Sequence, residues 1–122
     1  MSQPPVVVAV IDDSSEIRSA LKNLLSAYGY NAEFYSSAAA FLEARSQSEA
    51  RCLIVDVQLG DSCGIALVRQ LAQSSPALPV IFMTASDNPR TERRSVEAGC
   101  VAFLRKPFPA KSLLEKLSSL KL

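Results

Sequence analysis

Short apolar runs rich in β-branched residues alternate along this sequence with longer segments of helical period, and few folds accept that alternation. Val6–Ile11 reads as a buried strand. After it, Ile17, Ala20, Leu21, Leu24, Leu25 and Tyr28 recur at i, i+3, i+4, i+7, i+8 and i+11, one face of a helix over Ser15–Tyr28. Ser14 or Ser15 supplies the N-cap and Gly29 the C-terminal stop. Ala32–Tyr35 is a short strand, after which Ser36 or Ser37 caps a weaker helix through Phe41 and Leu42. A polar loop, Ser46 to Arg51, leads to the strand Cys52–Val57. Gly64 opens a helix through Ile65, Val68, Leu71 and Ala72, and Ser75-Pro76 breaks it. Val80–Thr84 is a fourth strand, Pro89 lies in the first turn of a helix ending at Ala98-Gly99, and Val101–Leu104 is a fifth strand. Leu113, Leu114, Leu117 and Leu120 line a last helix.

Such succession predicts an α/β fold, a parallel sheet with helices on both faces joined by right-handed crossovers. Strands that are apolar throughout fit a sheet covered on both sides. The chain of 122 residues, 48% hydrophobic and 20% charged, suits one domain over 1–122, with no linker or internal boundary. Thirteen basic and twelve acidic side chains leave a net charge of +1, which supports neither nucleic-acid nor membrane binding. No signal peptide is evident and the longest apolar stretch is too short to span a bilayer, so the cytoplasm is expected. Cys52, Cys63 and Cys100 have neither CxxC nor zinc-ligand spacing. They read as two reduced core residues and one loop residue, with a redox role for Cys63 as the alternative. The histidine count is zero, which removes Ser-His and Cys-His nucleophile pairs and imidazole ligands together.

Open α/β sheets bind ligands beyond the carboxyl ends of their strands. Strand one ends in Asp12-Asp13, Asp56 stands next to last in strand three, Thr84 closes strand four, and Lys106-Pro107 follows strand five. Three carboxylates, a hydroxyl and an ammonium therefore share one rim. Two like charges about 4 Å apart repel by roughly 4 kcal/mol at an effective dielectric near 20. Either some carboxylates are protonated or a cation holds them. An oxygen-only donor set selects Mg²⁺ or Ca²⁺ over zinc, and a small number of protein ligands favours Mg²⁺. Taken singly, Asp12 reads as a helix cap, Thr84 as an ordinary strand residue and Lys106 as a solvated lysine. Their fall at equivalent strand ends carries the signal.

DD at 12–13, LIVDVQL around Asp56, FMTAS around Thr84, AG at 98–99 and FLRKPF at 103–108 resemble the receiver domain of two-component response regulators. The likeness runs from about Val6 to Leu120. Details such as FLEA, VIFMTA and FLRKPF are most similar to the nitrogen-fixation regulator subgroup, whose members usually carry a C-terminal helix-turn-helix domain. The resemblance implies a flavodoxin-like (CheY-like) sheet of five strands in the order 2-1-3-4-5. It implies that Asp56 accepts a phosphoryl group from the phosphohistidine of a sensor histidine kinase. Asp13, Asp56 and the backbone carbonyl of Gln58 would hold Mg²⁺ directly, and Asp12 through water. Lys106 would pair with the phosphoryl oxygens, and Thr84 would donate its hydroxyl to one of them. Phe103 matches an aromatic switch that turns inward as Thr84 moves; a plain core phenylalanine is the alternative. A cis Lys106-Pro107 bond is also implied, as is dimerisation through helix four, strand five and helix five.

Departures from the family pattern are local. Position 60 is glycine where proline is usual, which loosens the loop Gln58–Cys63. Gln58 and Ser86 occupy positions that tune phosphoryl lifetime, and both are polar and uncharged. No output domain follows Leu122, Ser118-Ser119 reads as the start of a linker, and DNA would be reached only through such a domain. A stand-alone regulator working by protein–protein contact is the alternative. A phosphohydrolase with an aspartyl nucleophile would need a DxDxT-like loop and a cap insertion, and a flavin-binding domain would not place Asp12-Asp13 where a phosphate sits. A scaffold that has lost phosphate acceptance is at odds with the intact rim.

Overall fold

A computed structural model describes residues 5–60, 62–74 and 78–122. Strands β1 (Val7–Ile11), β2 (Asn31–Tyr35), β3 (Cys52–Asp56), β4 (Val80–Thr84) and β5 (Ala102–Arg105) form one parallel sheet in the order β2-β1-β3-β4-β5. Helices α1 (Ser15–Ala27), α2 (Ala38–Ala44), α3 (Gly64–Ala72), α4 (Pro89–Glu97) and α5 (Ala110–Ser119) alternate with them, and a 3-10 turn, Arg45–Gln47, follows α2. The expected fold class and strand order are both observed.

Alternate strand residues feed two separate cores, as the period of two requires. Val8, Val10, Cys52, Ile54, Ile81 and Met83 pack with Leu21 and Leu25 of α1 and Leu113 and Leu117 of α5. Ala9, Ile11, Leu53, Val55, Val80 and Phe82 pack with Phe41 of α2 and Ile65, Val68 and Leu71 of α3. Helices α1 and α5 therefore cover one face, and α2 and α3 cover the other. All five residues of β3 are buried, which is why its sequence reads as one apolar run rather than an alternation. Each buried Leu or Ile removes enough apolar surface to stabilise the fold by about 2 kcal/mol relative to exposure.

Several boundaries and contacts differ from the sequence expectation. Helix α1 stops at Ala27; Tyr28 is its C-cap at φ −106° and ψ 16°, and leaves the helical period with its side chain 63% exposed. Ala20 also lies outside the buried stripe. Strand β3 ends at Asp56, although the Val57 N–H still donates to the Met83 carbonyl at 2.9 Å. Strand β5 begins and ends one residue later than expected, so Lys106 follows it directly. Ser118 and Ser119 belong to α5 rather than to a linker. Of the cysteines, Cys52 is buried, while Cys63 and Cys100 are half-buried. The expected break at Ser75-Pro76 lies outside the described residues. The Lys106-Pro107 bond is cis.

The segment after β3 is more ordered than a loosened loop. Gln58–Leu59 pairs antiparallel with Ser62–Cys63, and Gly60 adopts φ +63°, a left-handed conformation that side chains with a Cβ resist. Gly64 then packs its α-carbon directly on β3: a Cβ there would collide with the Asp56 carbonyl oxygen and lie 2.8 Å from Val55 Cγ1. Its N–H donates to the Val57 carbonyl at 2.8 Å, closing the hairpin onto the end of the strand. Among the described residues no helix is long and apolar enough to cross a membrane.

Candidate functional site

Register places the site. In the β1–β3 ladder Ile11 lies opposite Val55, so Asp12 and Asp56 leave the sheet side by side. In the β4–β5 ladder Thr84 lies opposite Arg105, and the Lys106 N–H donates to the Thr84 carbonyl at 2.7 Å. From that anchor the Lys106 ammonium reaches across the strand ends. It donates to Asp12 Oδ2 at 2.8 Å and to Asp56 Oδ2 at 2.6 Å.

Asp12 is fully buried and fully engaged. Its Oδ1 accepts the Ser14 N–H at 2.8 Å, and its carbonyl accepts a guanidinium N–H of Arg18 at 2.8 Å. Ser14, not Asp12, caps α1, accepting the Ile17 N–H at 3.3 Å. Asp56, 7% exposed, accepts the Gln58 N–H on Oδ1 at 2.8 Å. Asp13 is exposed, yet carboxylate oxygens of Asp12, Asp13 and Asp56 lie within 4.8 Å of one another. Burial raises the Asp56 carboxyl above the ordinary carboxylate range, helped by the negative charge of Asp12 and opposed by Lys106 and the Gln58 N–H. For Lys106, burial works to lower the ammonium, but its hydrogen bonds to Asp12 and Asp56 overcome that and leave it raised.

Two further residues named from the sequence stand apart from this group. Thr84 is buried at the end of β4, but its Oγ1 accepts the Ser86 N–H at 3.0 Å, with no hydrogen bond to Asp56 among the described residues. Phe103 lies opposite Phe82 and packs half-buried against the α2–α3 core.

A cavity of about 570 Å³ opens above Asp56. Asp13, Asp56, Gln58, Ser62 and Cys63 line it together with Thr91 and Arg94 of α4. Sequence reading did not place Ser62, Thr91 or Arg94 beside Asp56. Thr91 and Arg94 are three apart and so share a helix face, a signal usable only once α4 is known to start beside the end of β4. Cys63 thus borders the cavity. Cys52 does not, and burial pushes its thiol up to about 12.

The donor set is hard oxygen without nitrogen or sulfur in the cluster, which suits a hard divalent cation. Its spacing also demands positive charge, which the Lys106 ammonium supplies to Asp12 and Asp56 but not to Asp13.

Residues 8–118 match the response regulator receiver domain. The chain belongs to that family. The response regulator protein TodT of Pseudomonas putida is 32% identical over 114 residues, covering 93% of this chain and 50% of its own. The transcriptional regulatory protein GltR of Pseudomonas aeruginosa is 33% identical over 115 residues, covering 93% of this chain and 48% of its own. This receiver thus spans about half the length of these relatives. A CheY-like receiver domain protein from Methanospirillum hungatei shares the fold at a TM-score of 0.88 and 24% identity, covering 95% of this chain and 93% of that one. In a receiver, the cluster at the ends of β1, β3 and β5 belongs to a two-component signalling module.

Proposed function

We propose that this receiver accepts a phosphoryl group on Asp56 from the phosphohistidine of a sensor histidine kinase. An Asp56 carboxylate oxygen forms the new O–P bond as the donor's N–P bond breaks. The observation that carries the reading is the position of Asp56: a carboxylate at the foot of an open cavity, held by the Gln58 N–H on one oxygen and an ammonium on the other. Phosphoryl transfer depends on positioning and charge neutralisation more than on bond chemistry supplied by the protein. Asp12, Asp13, Asp56 and the Gln58 carbonyl would hold Mg²⁺, which would supply neutralising charge to the phosphoryl oxygens. Lys106 moves its hydrogen bond from Asp56 to a phosphoryl oxygen while keeping Asp12. Thr84 exchanges the Ser86 N–H for the phosphoryl group, and Phe103 follows into the space behind it.

The role is regulatory rather than enzymatic: turnover is confined to self-phosphorylation and slow hydrolysis of the aspartyl phosphate. Helix α4 and strand β5 follow Thr84, and helix α5 follows Lys106, so the change reaches that face first. Arg90, Arg93 and Arg94 on α4 and Glu115 and Lys116 on α5 supply opposite charges for pairing across a two-fold axis. Dimerisation there would control transcription, as the name of the transcriptional regulatory protein GltR suggests for that relative, through a DNA-binding part outside this chain. The cytoplasm is the matching location.

Acetyl phosphate with Mg²⁺ should add one phosphoryl group, mapped to Asp56 by mass spectrometry after borohydride trapping. Label on any other residue would overturn the assignment. Beryllofluoride with Mg²⁺ should raise the dimer fraction in sedimentation, and Arg93→Glu combined with Arg94→Glu should suppress the rise.

A further inference from the structure

The cavity above Asp56 has an electrostatic problem that its floor does not solve. Asp12, Asp13 and Asp56 carry three negative charges, and the one ammonium among them is already bonded to two. A phosphodonor is itself an anion: without a cation it approaches a mouth of its own sign, and with Mg²⁺ held there the floor would be about neutral and would not by itself draw the donor in from a distance.

Arg94, on α4, is the cation in the cavity's lining. Among the described residues it has no carboxylate within ion-pair distance. Its turn of α4 is held in place beneath it. Thr91 Oγ1 lies 3.3 Å from Ser86 Oγ, and the Thr91 carbonyl accepts the hydroxyl of buried Ser95 at 2.8 Å. Arg93 is also exposed and carries the same charge, but it points about 100° away around the helix and does not line the cavity.

We infer that Arg94 is the residue that draws anionic phosphodonors into the Asp56 cavity, offsetting the repulsion of the acidic floor. It is a steering and specificity residue rather than a catalytic one, and the inference rests on the phosphoacceptor reading above. Clefts that present one sign of charge raise encounter rates for the opposite sign by about 10-fold or more, and salt removes the effect. The consequence extends to donor choice: small dianionic donors should depend on Arg94 more than a kinase that brings its own docking surface.

The test compares Arg51→Glu, a charge reversal of an exposed residue just before β3 at the other end of the sheet, with Arg94→Glu and Arg94→Lys for the initial rate of Asp56 labelling by acetyl phosphate in Mg²⁺, at low and high ionic strength. At low salt Arg94→Glu should slow labelling about tenfold, whereas Arg51→Glu should change it by less than about twofold. Arg94→Lys should restore most of the rate. Near 1 M salt, where screening acts within about 3 Å, the Arg94→Glu deficit should largely vanish. Beryllofluoride affinity, read from amide chemical shifts, should fall in the same order without any chemistry taking place. Equal effects of the two charge reversals, or a deficit insensitive to salt, would overturn the inference and leave the phosphoacceptor reading intact. Failure of the wild-type chain to label on Asp56 would overturn both.

Discussion

Asp12 and Asp13 are neighbours in sequence, yet one is buried among the strand ends that form the floor of the site and the other is exposed at its rim. On the floor, Asp12 and Asp56 are buried and bonded to a shared ammonium, and each has a backbone N–H on its other oxygen. On the rim, Asp13 and Arg94 are exposed, and the Gln58–Cys63 hairpin is held by a ladder only two residue pairs long. The floor descends from strand ends, so sheet register fixes it to the same precision as the core. The rim descends from a turn and one helix face, where fewer contacts fix position and charge can be exchanged at little structural cost. Chemistry thus sits on the rigid part, and tuning on the part free to vary.

Removing the nucleophile proposed for the floor should have the largest effect. Asp56→Asn should reduce labelling by acetyl phosphate to below about one hundredth of the wild-type rate, because an amide is too poor a nucleophile to form the covalent product. Undiminished labelling of the variant would mean that the phosphoryl group goes elsewhere.

A pair of glycines sharpens the same contrast in stability. At Gly64 an added methyl meets the Asp56 carbonyl, which is backbone and cannot move aside. At Gly60 it meets only Asp13 Oδ2, at an ordinary 3.6 Å, and the cost is that of the left-handed backbone. Gly64→Ala should therefore destabilise by about 3 kcal/mol and Gly60→Ala by about 1 kcal/mol, read from urea midpoints at unchanged slope. Equal losses would show that the hairpin is as rigid as the strand beneath it.

Metal affinity divides the two adjacent aspartates. Among the described residues Asp13 has no hydrogen-bonded partner to release, whereas Asp12 must share its Oδ2 with Lys106. Asp13→Ala should weaken Mg²⁺ binding about tenfold and Asp12→Ala by less, measured by calorimetry. The reverse order would place Asp12 in direct contact with the ion.

Much of this was legible in the sequence, and the part that was not has a physical reason. The five strands were readable because burial on both faces leaves each an unbroken apolar run. Asp12, Asp56 and Lys106 were readable because parallel strands bring their carboxyl ends to one edge whatever the loops do. Tyr28 was misplaced because periodicity does not announce where a helix lets go. The pairing of Gln58–Leu59 with Ser62–Cys63 is too short to have a period at all. Thr84 was placed at the right strand end, but no pattern could say that its hydroxyl accepts the Ser86 N–H. Arg94 read from the sequence as one of the helix-four charges available to a dimer interface, and only the approach of α4 to the end of β4 shows that it also borders the cavity.

The smallest expected effect concerns stability, and its sign separates floor from rim again. Burial raises the Asp56 carboxyl above its unfolded value, so the folded chain binds that proton more tightly than the unfolded one. The stabilising contribution of this group is therefore fully present below the unfolded carboxylate range, about pH 4, and is lost as pH rises through the folded value. At neutral pH the ionised Asp56 is a net cost, which Asp56→Asn removes. The substitution also takes one of two acceptors from Lys106, whose raised value contributes stability at neutral pH that disappears only under alkaline conditions. Asp12 remains as its partner, so the loss is partial and the balance favours the amide. Thermal unfolding should find Asp56→Asn modestly more stable than the wild-type chain at pH 7, with the margin narrowing as pH falls towards about 4. Asp13→Asn, on the exposed rim, should show a smaller margin. A variant at position 56 that is less stable at pH 7, or whose advantage grows on acidification, would mean that Lys106 more than compensates the burial of Asp56.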